Sequence, residues 1–140
     1  MDNELTFGSF IRAKRLEHKF TLRVLAELLQ MSLVHMSNIE NGRRTAPKLE
    51  TLKKMISELN LSKEETELMY DLAANSKSIT SVAGDLPKYI EANDIVKVAL
   101  RTARDADATD EEWKDFIERI NKRIINKGEP PFGRENANEP

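Results

Sequence analysis

Two hydroxyl residues and one Asn-Gly pair divide residues 21–42 into two short apolar runs, and no other feature constrains the fold as strongly. Thr21 and Ser32 each precede such a run, where a side-chain oxygen can accept a hydrogen bond from an unpaired backbone N–H at a helix start. Asn41-Gly42 ends the second run, because both residue types tolerate the left-handed conformation of a helix stop. The pattern predicts two short helices joined by a tight turn.

The rest of the first 75 residues repeats this pattern of short apolar helices, and no segment alternates as a strand would. The first helix ends near Lys19, the third extends from Ser32 to Glu40, and the fourth begins between Pro47 and Glu50. A capping box of Ser62 and Glu65 opens the fifth. The sequence therefore predicts an all-α domain whose core is formed by Leu5, Phe7, Phe10, Ile11, Leu16, Leu25, Ala26, Leu28, Leu29, Met31, Met36, Ile39, Leu49, Leu52, Met55, Ile56, Leu59, Leu68, Met69 and Leu72.

The second half of the chain predicts a linker, a helical hairpin and a tail. Residues 76–86 are small and polar, which is typical of a linker, and Pro87 suits the first position of a short helix. A helix over 94–105 follows, and a second capping box, Thr109 with Glu112, opens the longest helix, which reaches about Asn126. Its apolar residues form one seam: Trp113, Phe116, Ile117, Ile120, Ile124 and Ile125. Residues 128–140 contain proline and glycine and are expected to be disordered.

The composition limits the classes of function. The net charge is −2, but residues 1–48 hold eight Lys and Arg against five Asp and Glu, so the amino-terminal part is basic. A basic part favours a polyanion as partner, although an excess of this size is also ordinary for a small domain. The chain has no cysteine, no apolar run long enough for a membrane span and a polar, acidic start, so we expect a cytoplasmic protein without a signal peptide.

The two helices of residues 21–40 together predict a helix-turn-helix unit, whose second helix can lie in the major groove of DNA. Met36 and Ile39 would face the core. The opposite face would then meet base edges, and it is formed by Leu33, Val34, His35, Ser37 and Asn38. An exposed Leu33-Val34 pair could instead form a patch that binds a protein.

The stretch TLRVLAELLQMSLVHMSNIENGRRTAPKLETL resembles the helix-turn-helix domain shared by the Cro protein, phage repressors and xenobiotic-response-element regulators. The resemblance covers roughly residues 7–61. Its most specific part is Ile39-Glu40-Asn41-Gly42, followed by a basic pair and Pro47 in register. It implies a repressor-like five-helix fold and a sequence-specific DNA-binding function.

The resemblance also implies roles for individual residues. Leu33, Val34 and Asn38 stand where family members contact bases, and an Asn amide can pair with adenine, whereas Leu and Val can contact only thymine methyl groups. Arg15 and Glu40 match a buried ion pair. The residues expected to contact bases or phosphates are Thr21, Arg23, Ser32, Leu33, Val34, His35, Ser37, Asn38, Arg43, Arg44 and Lys48.

Two positions depart from the family pattern. Leu22 stands where the family usually has a glutamine that contacts a phosphate, so this chain lacks that donor. Gln30 stands where the turn usually has glycine, so we expect slight strain in the turn.

Arg43 and Arg44 would contact the DNA backbone or the minor groove, or else form a merely solvated loop.

Residues 86–113 are similar to a carboxyl-terminal region of some repressor-like regulators from Gram-positive bacteria and their mobile elements. Ile95, Val98, Ala99 and Ala103 would meet the seam of the last helix as a hairpin. Two such hairpins from two chains would form a dimer, or else the hairpin would pack on its own amino-terminal domain. No part of this region resembles a self-cleaving Ser-Lys site.

These observations predict a DNA-binding transcriptional regulator of the bacterial nucleoid, most simply a repressor that binds a palindromic operator as a homodimer. The alternative is a protein-interaction module on the same scaffold, whose partner would be a toxin or an antirepressor. We expect no enzyme, cofactor or metal site, because no paired carboxylates, nucleophile-base pair, phosphate loop or ligand cluster has useful spacing. The expected domains are residues 1–75, a linker over 76–86 and a dimerisation segment over 87–127.

Overall fold

The computed structural model describes residues 4–77 and 81–126, and this part of the chain contains eight α-helices and no strand. The all-α prediction is therefore confirmed. The described residues divide into two compact units, one ending at Tyr89 and the other beginning at Ile90. The helices are α1 (Phe7–Glu17), α2 (Leu22–Leu28), α3 (Leu33–Glu40), α4 (Leu49–Glu58), α5 (Lys63–Asn75), α6 (Pro87–Ala92), α7 (Asp94–Asp105) and α8 (Asp110–Asn126).

Side-chain caps begin most of the helices, as the sequence predicts. The Thr21 hydroxyl accepts a hydrogen bond from Val24 N at 3.1 Å, and the Ser32 hydroxyl accepts one from His35 N at 3.0 Å. The predicted capping box of Ser62 and Glu65 is present at the start of α5. These caps satisfy N–H groups that have no partner within their own helix.

Five helices in the described part end in one backbone motif, in which a residue with positive φ follows the last turn. The residue after it then donates its N–H to a carbonyl five positions back, as in Phe20 N to Arg15 O at 3.1 Å. Only Gly42 is a glycine; the other four residues are Lys19, Gln30, Asn60 and Asp107. The sequence analysis recognised the stop at Gly42 because glycine and asparagine are the usual signals.

The core of the first unit is formed by the inner faces of α1 to α5. Phe10, Ile11, Met36, Met55 and Met69 are among its buried residues. Most of the predicted core residues are buried, and Met31, Ile56 and Leu72 are partly buried against it. Tyr70 and Ala73 of α5 are also buried, although the sequence analysis did not include them.

Five predicted core residues are exposed instead. Leu5, which is 47% exposed, precedes the cap of α1, and Leu16, at 52%, lies beside Arg15, which takes the inward position. The buried face of α5 is formed by Met69, Tyr70 and Ala73, so Leu68 lies at the edge of that face and is exposed. Leu28 and Leu49 are likewise exposed at the ends of short helices.

An ion pair between α1 and α5 supports the position of α5 in this core. Lys14 Nζ donates a hydrogen bond to the Glu65 carboxylate, which also accepts from the Ser62 N–H in the capping box. The bond from Lys14 lowers the pKa of the Glu65 carboxyl, and the same bond raises the pKa of the Lys14 ammonium. One carboxylate therefore caps α5 and holds it to α1.

The first unit extends further along the chain than the sequence predicts. Ala83 is buried in its core cluster, and the position of Gly84 lies close to the side chains of Leu49 and Tyr70. Burial raises the pKa of Tyr70 there. The first unit ends at Tyr89, whereas the predicted linker covers 76–86.

The second unit contains the predicted helical hairpin. Helix α7 has the predicted bounds, and the capping box at the start of α8 is present, with Glu112 N donating to the Thr109 hydroxyl at 3.2 Å. Helices α7 and α8 both line a pocket of about 290 Å³ that includes Ala103 and Trp113. The predicted tail, residues 128–140, and the side chain of Ile125 lie outside the described residues.

Several large apolar side chains of this hairpin are exposed. Ile95 is 74% exposed, and Val98, Phe116 and Ile117 are each more than half exposed. No residue of α7 is buried. Among the described helices, none combines the length and the low polarity that a membrane span needs.

Candidate nucleic-acid interface

The turn between α2 and α3 is short and anchored at both ends. Leu29 ends α2, Gln30 adopts a φ of +58°, and Met31 N donates to Ala26 O at 2.9 Å. A positive φ is unfavourable for a residue with a Cβ, so the slight strain predicted at Gln30 is present. The Gln30 side chain accepts a hydrogen bond from Lys54 Nζ at 2.9 Å, which ties the turn to α4.

The inner face of α3 is fixed by complete burial. Met36 and Ile39 are at most 1% exposed, and Leu25, Ala26 and Leu29 of α2 are buried against them. The contact between α2 and α3 is the most extensive helix contact in the first unit. Helix α3 therefore has one possible rotation about its axis, and that rotation determines which side chains face solvent.

The opposite face of α3 is accessible, as a base-reading face must be. Val34 is 69% exposed and Leu33 is exposed, while His35, Ser37 and Asn38 are half-buried at the side of the helix. No described residue forms a hydrogen bond with the Asn38 carboxamide, so its donor and acceptor are both available. Its backbone carbonyl accepts hydrogen bonds from Arg43 N at 2.9 Å and from Arg44 N.

The end of α3 presents two arginines to solvent. Gly42 has a φ of +85°, and the Asn41 side chain accepts a hydrogen bond from Arg43 N at 3.1 Å, so the backbone at this stop is well fixed. The side chains of Arg43 and Arg44 are exposed, and neither pairs with a carboxylate in the described part of the chain. They remain available for an anionic partner.

The other predicted contact residues lie on the same unit with differing freedom. The hydroxyls of Thr21 and Ser32 accept cap hydrogen bonds, and both residues are exposed. Arg23 is exposed on the first turn of α2. Lys48 is exposed and lies 3.6 Å from a carboxylate oxygen of Glu50, a contact that solvent weakens.

A pocket of about 310 Å³ lies beside Leu22, near the predicted contact face. The pocket is lined by Leu22, Arg12 and Ser37, together with residues at the end of α3. Leu22 is partly buried against the core, so its apolar side chain contributes to packing where a glutamine would offer a donor. Arg12 is exposed at this pocket, and the sequence analysis did not identify it because it lies on α1, outside the helix-turn-helix stretch.

A buried ion pair connects α1 to the end of α3, as the resemblance implies. Arg15 Nε lies 2.7 Å from one oxygen of the Glu40 carboxylate, and Arg15 Nη2 lies 3.0 Å from the other. A third bond runs from Arg15 Nη1 to the Phe20 carbonyl at 3.0 Å. The side chains of Arg15 and Glu40 are 10% and 7% exposed, and the hydrogen bonds to Glu40 raise the pKa of the Arg15 guanidinium.

Gly8 allows this close approach of α1 to α3, and the sequence analysis missed it. A Cβ at Gly8 would lie 2.4 Å from the Glu40 carbonyl oxygen and 2.5 Å from that of Ile39. Both atoms belong to the backbone, so a side chain at Gly8 would force the two helices apart. No local pattern signals this requirement, because the contact is between segments distant in the sequence.

The fold and the site together define the class of this domain. Two capped helices meet at a tight turn, the second is held by its apolar face, and its other face is accessible beside two exposed arginines. This is the architecture of a DNA-binding helix-turn-helix domain. In the described part of the chain, no group of His, Cys, Asp and Glu side chains has the arrangement of a metal site.

Comparisons with known proteins agree with this class. Residues 11–65 match a family model described as Helix-turn-helix, so this segment is similar to helix-turn-helix domains. The chain is 42% identical over 65 residues to the HTH-type transcriptional repressor RghR of Bacillus subtilis (strain 168). That alignment covers 46% of this chain and 47% of RghR, so the chain spans about half the length of the curated relative it matches.

A solved structure described as a SinR protein/SinI protein complex contains a chain with 19% identity to this one. The superposition covers 86% of this chain and 99% of that chain, with a TM-score of 0.43. A likeness at this level does not bear on function.

Proposed function

We propose that this protein is a sequence-specific transcriptional regulator of bacterial cytoplasm that represses a promoter by occupying double-stranded DNA. The observation that supports this most directly is the fixed rotation of α3. Burial of Met36 and Ile39 fixes the rotation of α3, so the opposite face of this helix stays accessible. Docking in the major groove requires such a face, and the two arginines follow directly after the same helix. The match to a family of DNA-binding regulators supports a binding protein rather than an enzyme.

In this proposal the residues divide into those that specify the site and those that hold the duplex. Asn38 would pair with an adenine edge, while Leu33 and Val34 would contact thymine methyl groups. His35 and Ser37 would contact bases or phosphates beside them. The residues that would hold the sugar-phosphate backbone are Thr21, Arg23, Ser32, Arg43, Arg44 and Lys48.

Replacing Asn38 with alanine is expected to relax specificity at one base pair of each half-site. The loss should be about 1–3 kcal/mol of discrimination there, because alanine offers no hydrogen bonds to the base edge. Selection of binding sequences from a randomised duplex library, first with the parent and then with Asn38→Ala, measures this. The other base positions are an internal control, and unchanged preference at every position would contradict the assigned role of Asn38.

We also propose that two chains associate through α7 and α8. Helix α3 alone spans only a few base pairs, and two-fold pairing would place a second copy about 34–36 Å away, one turn along the DNA. The exposed apolar side chains of Ile95, Val98, Phe116 and Ile117 support this, because a single chain leaves them in water. A palindromic operator follows from such a dimer.

The dimer can be tested in the full chain by Ile95→Glu with Ile117→Glu. Both side chains are already largely exposed, so the double variant should fold as the parent does while losing the dimer. Sedimentation velocity should change from dimer to monomer, because four carboxylates would enter the apolar contact. Lys122→Glu, at an exposed position of α8, is the matched control. A parent that is monomeric at micromolar concentration would contradict the proposal.

One observation favours a second function, a protein-interaction module whose partner is a toxin or an antirepressor. Leu33 and Val34 lie together at the start of α3 and are exposed, and an apolar pair of this kind also suits a protein partner. The salt dependence of binding distinguishes the two functions. Binding to DNA should weaken steeply as salt rises, since lysines and arginines displace counterions, whereas an apolar protein contact should not.

A further inference from the structure

The loop that carries Arg43 and Arg44 is anchored at two points. At its start, the Asn38 carbonyl accepts hydrogen bonds from Arg43 N at 2.9 Å and from Arg44 N at 3.1 Å. At its end, Ala46 N donates to the Ser76 hydroxyl oxygen at 3.0 Å. The second anchor reaches across thirty residues of sequence, from the loop to the end of α5.

The Ser76 hydroxyl is held in the one orientation that suits this bond. It donates its own hydrogen to the Ala73 carbonyl at 2.7 Å, so its lone pairs are left for Ala46 N. The backbone N–H of Ser76 caps α5 by donating to Leu72 O at 3.1 Å. The position of the hydroxyl oxygen is therefore set by the end of a packed helix.

Among the described residues, the Ser76 hydroxyl is the one acceptor that bonds the Ala46 N–H. Ala46 is 6% exposed and belongs to the core cluster, so its amide is shielded from water. A buried N–H that loses its acceptor must find another or move toward solvent. Without the Ser76 hydroxyl, the loop would leave its position to hydrate this group, and the backbone of Arg43 and Arg44 would lose one of its two anchors.

We propose that Ser76 is a positioning residue for DNA binding, which acts by holding the arginine loop ready for the phosphate backbone. This inference rests on the proposed function. A loop that is ordered before binding loses less conformational entropy when its arginines contact phosphates. Ser76 also caps the end of α5. A change at the end of α5 would therefore reach the arginines through one hydrogen bond.

Three full-length variants test the role of Ser76: Ser76→Ala removes the hydroxyl, Ser76→Cys keeps the size but is a poor acceptor, and Ser76→Thr retains the hydroxyl. Binding to a fluorescent mixed-sequence duplex is measured by anisotropy over a series of salt concentrations. Ser76→Ala and Ser76→Cys should bind about 3- to 10-fold more weakly, the range that one hydrogen bond of ordinary net strength can produce. Both should show a shallower salt dependence, and Ser76→Thr should bind as the parent does.

The background of Arg43→Ala with Arg44→Ala separates positioning from general destabilisation. If Ser76 acts through the arginines, Ser76→Ala should have no further effect once they are gone. An equal loss in both backgrounds, or parent-like binding by both Ser76→Ala and Ser76→Cys, would overturn the inference. If Ser76→Ala does not fold, Ser76→Cys provides the same comparison. A parent that binds no duplex would instead refute the proposed function, before any variant is compared.

Discussion

Replacing Arg15 with alanine is expected to lower the free energy of unfolding by about 3–5 kcal/mol. The change removes all three hydrogen bonds of the guanidinium and leaves the Glu40 carboxylate, whose side chain is 7% exposed, without its counterion. An unpaired charge in that position is far more costly than the loss of a surface pair. Urea denaturation followed by circular dichroism measures the difference.

Two further variants show whether the pair itself is responsible. Arg12→Ala removes an exposed arginine of the same helix and should change stability by less than about 0.5 kcal/mol. Arg15→Met with Glu40→Leu removes both charges and should recover most of the loss, because well-packed apolar residues often replace a buried pair without cost. An Arg15→Ala protein as stable as Arg12→Ala would show that the pair does not hold α1 to α3.

This ion pair also shows what a resemblance adds to a reading of the residues. No spacing rule connects Arg15 with Glu40, because they lie on different helices, and the family pattern alone implied their contact. The geometry then confirms it, with two bonds of 2.7 and 3.0 Å. Gly8 lies at the same crossing and was missed, since a close backbone approach leaves no signature in the nearby sequence.

The helix starts could be predicted because capping is local. A Ser or Thr hydroxyl bonds an N–H three residues ahead, so Thr21, Ser32 and Ser62 could be identified without knowledge of the fold. The helix ends were harder to predict, because Lys19 and Gln30 adopt the left-handed conformation at positions where glycine is the usual signal. Their conformation is imposed by the packing of the next segment, not by their own preference.

The core was predicted well at the centre of each face and poorly at its edges. At the edge of a helix's buried face, a rotation of a few tens of degrees moves a leucine from the core to the rim. Leu28 and Leu68 were therefore assigned to the core, although the structure exposes both. The apolar seam of α8 was predicted from its spacing, but spacing does not reveal what covers it.

Replacing Arg43 and Arg44 together with alanine is expected to weaken binding to every duplex alike. These two guanidinium groups are exposed and have no carboxylate partner among the described residues, so the change should leave stability unaltered. Each contact between a cation and a phosphate steepens the salt dependence of the logarithm of the binding constant by about 0.9. Losing two contacts on each bound chain should therefore make the slope shallower by about 1.8 per chain, or about 3.6 for the proposed dimer.

The affinity follows from the same slope. The lines for parent and variant should converge near 1 M salt, so at about 0.1 M the variant should bind about 60-fold more weakly for each chain that contacts the duplex. Lys122→Ala with Arg123→Ala removes two exposed cations from α8 and is the matched control, because it changes the net charge equally. If the two double variants bind a mixed-sequence duplex with the same affinity and slope, net charge alone governs binding, and the docking of α3 with its flanking arginines is refuted.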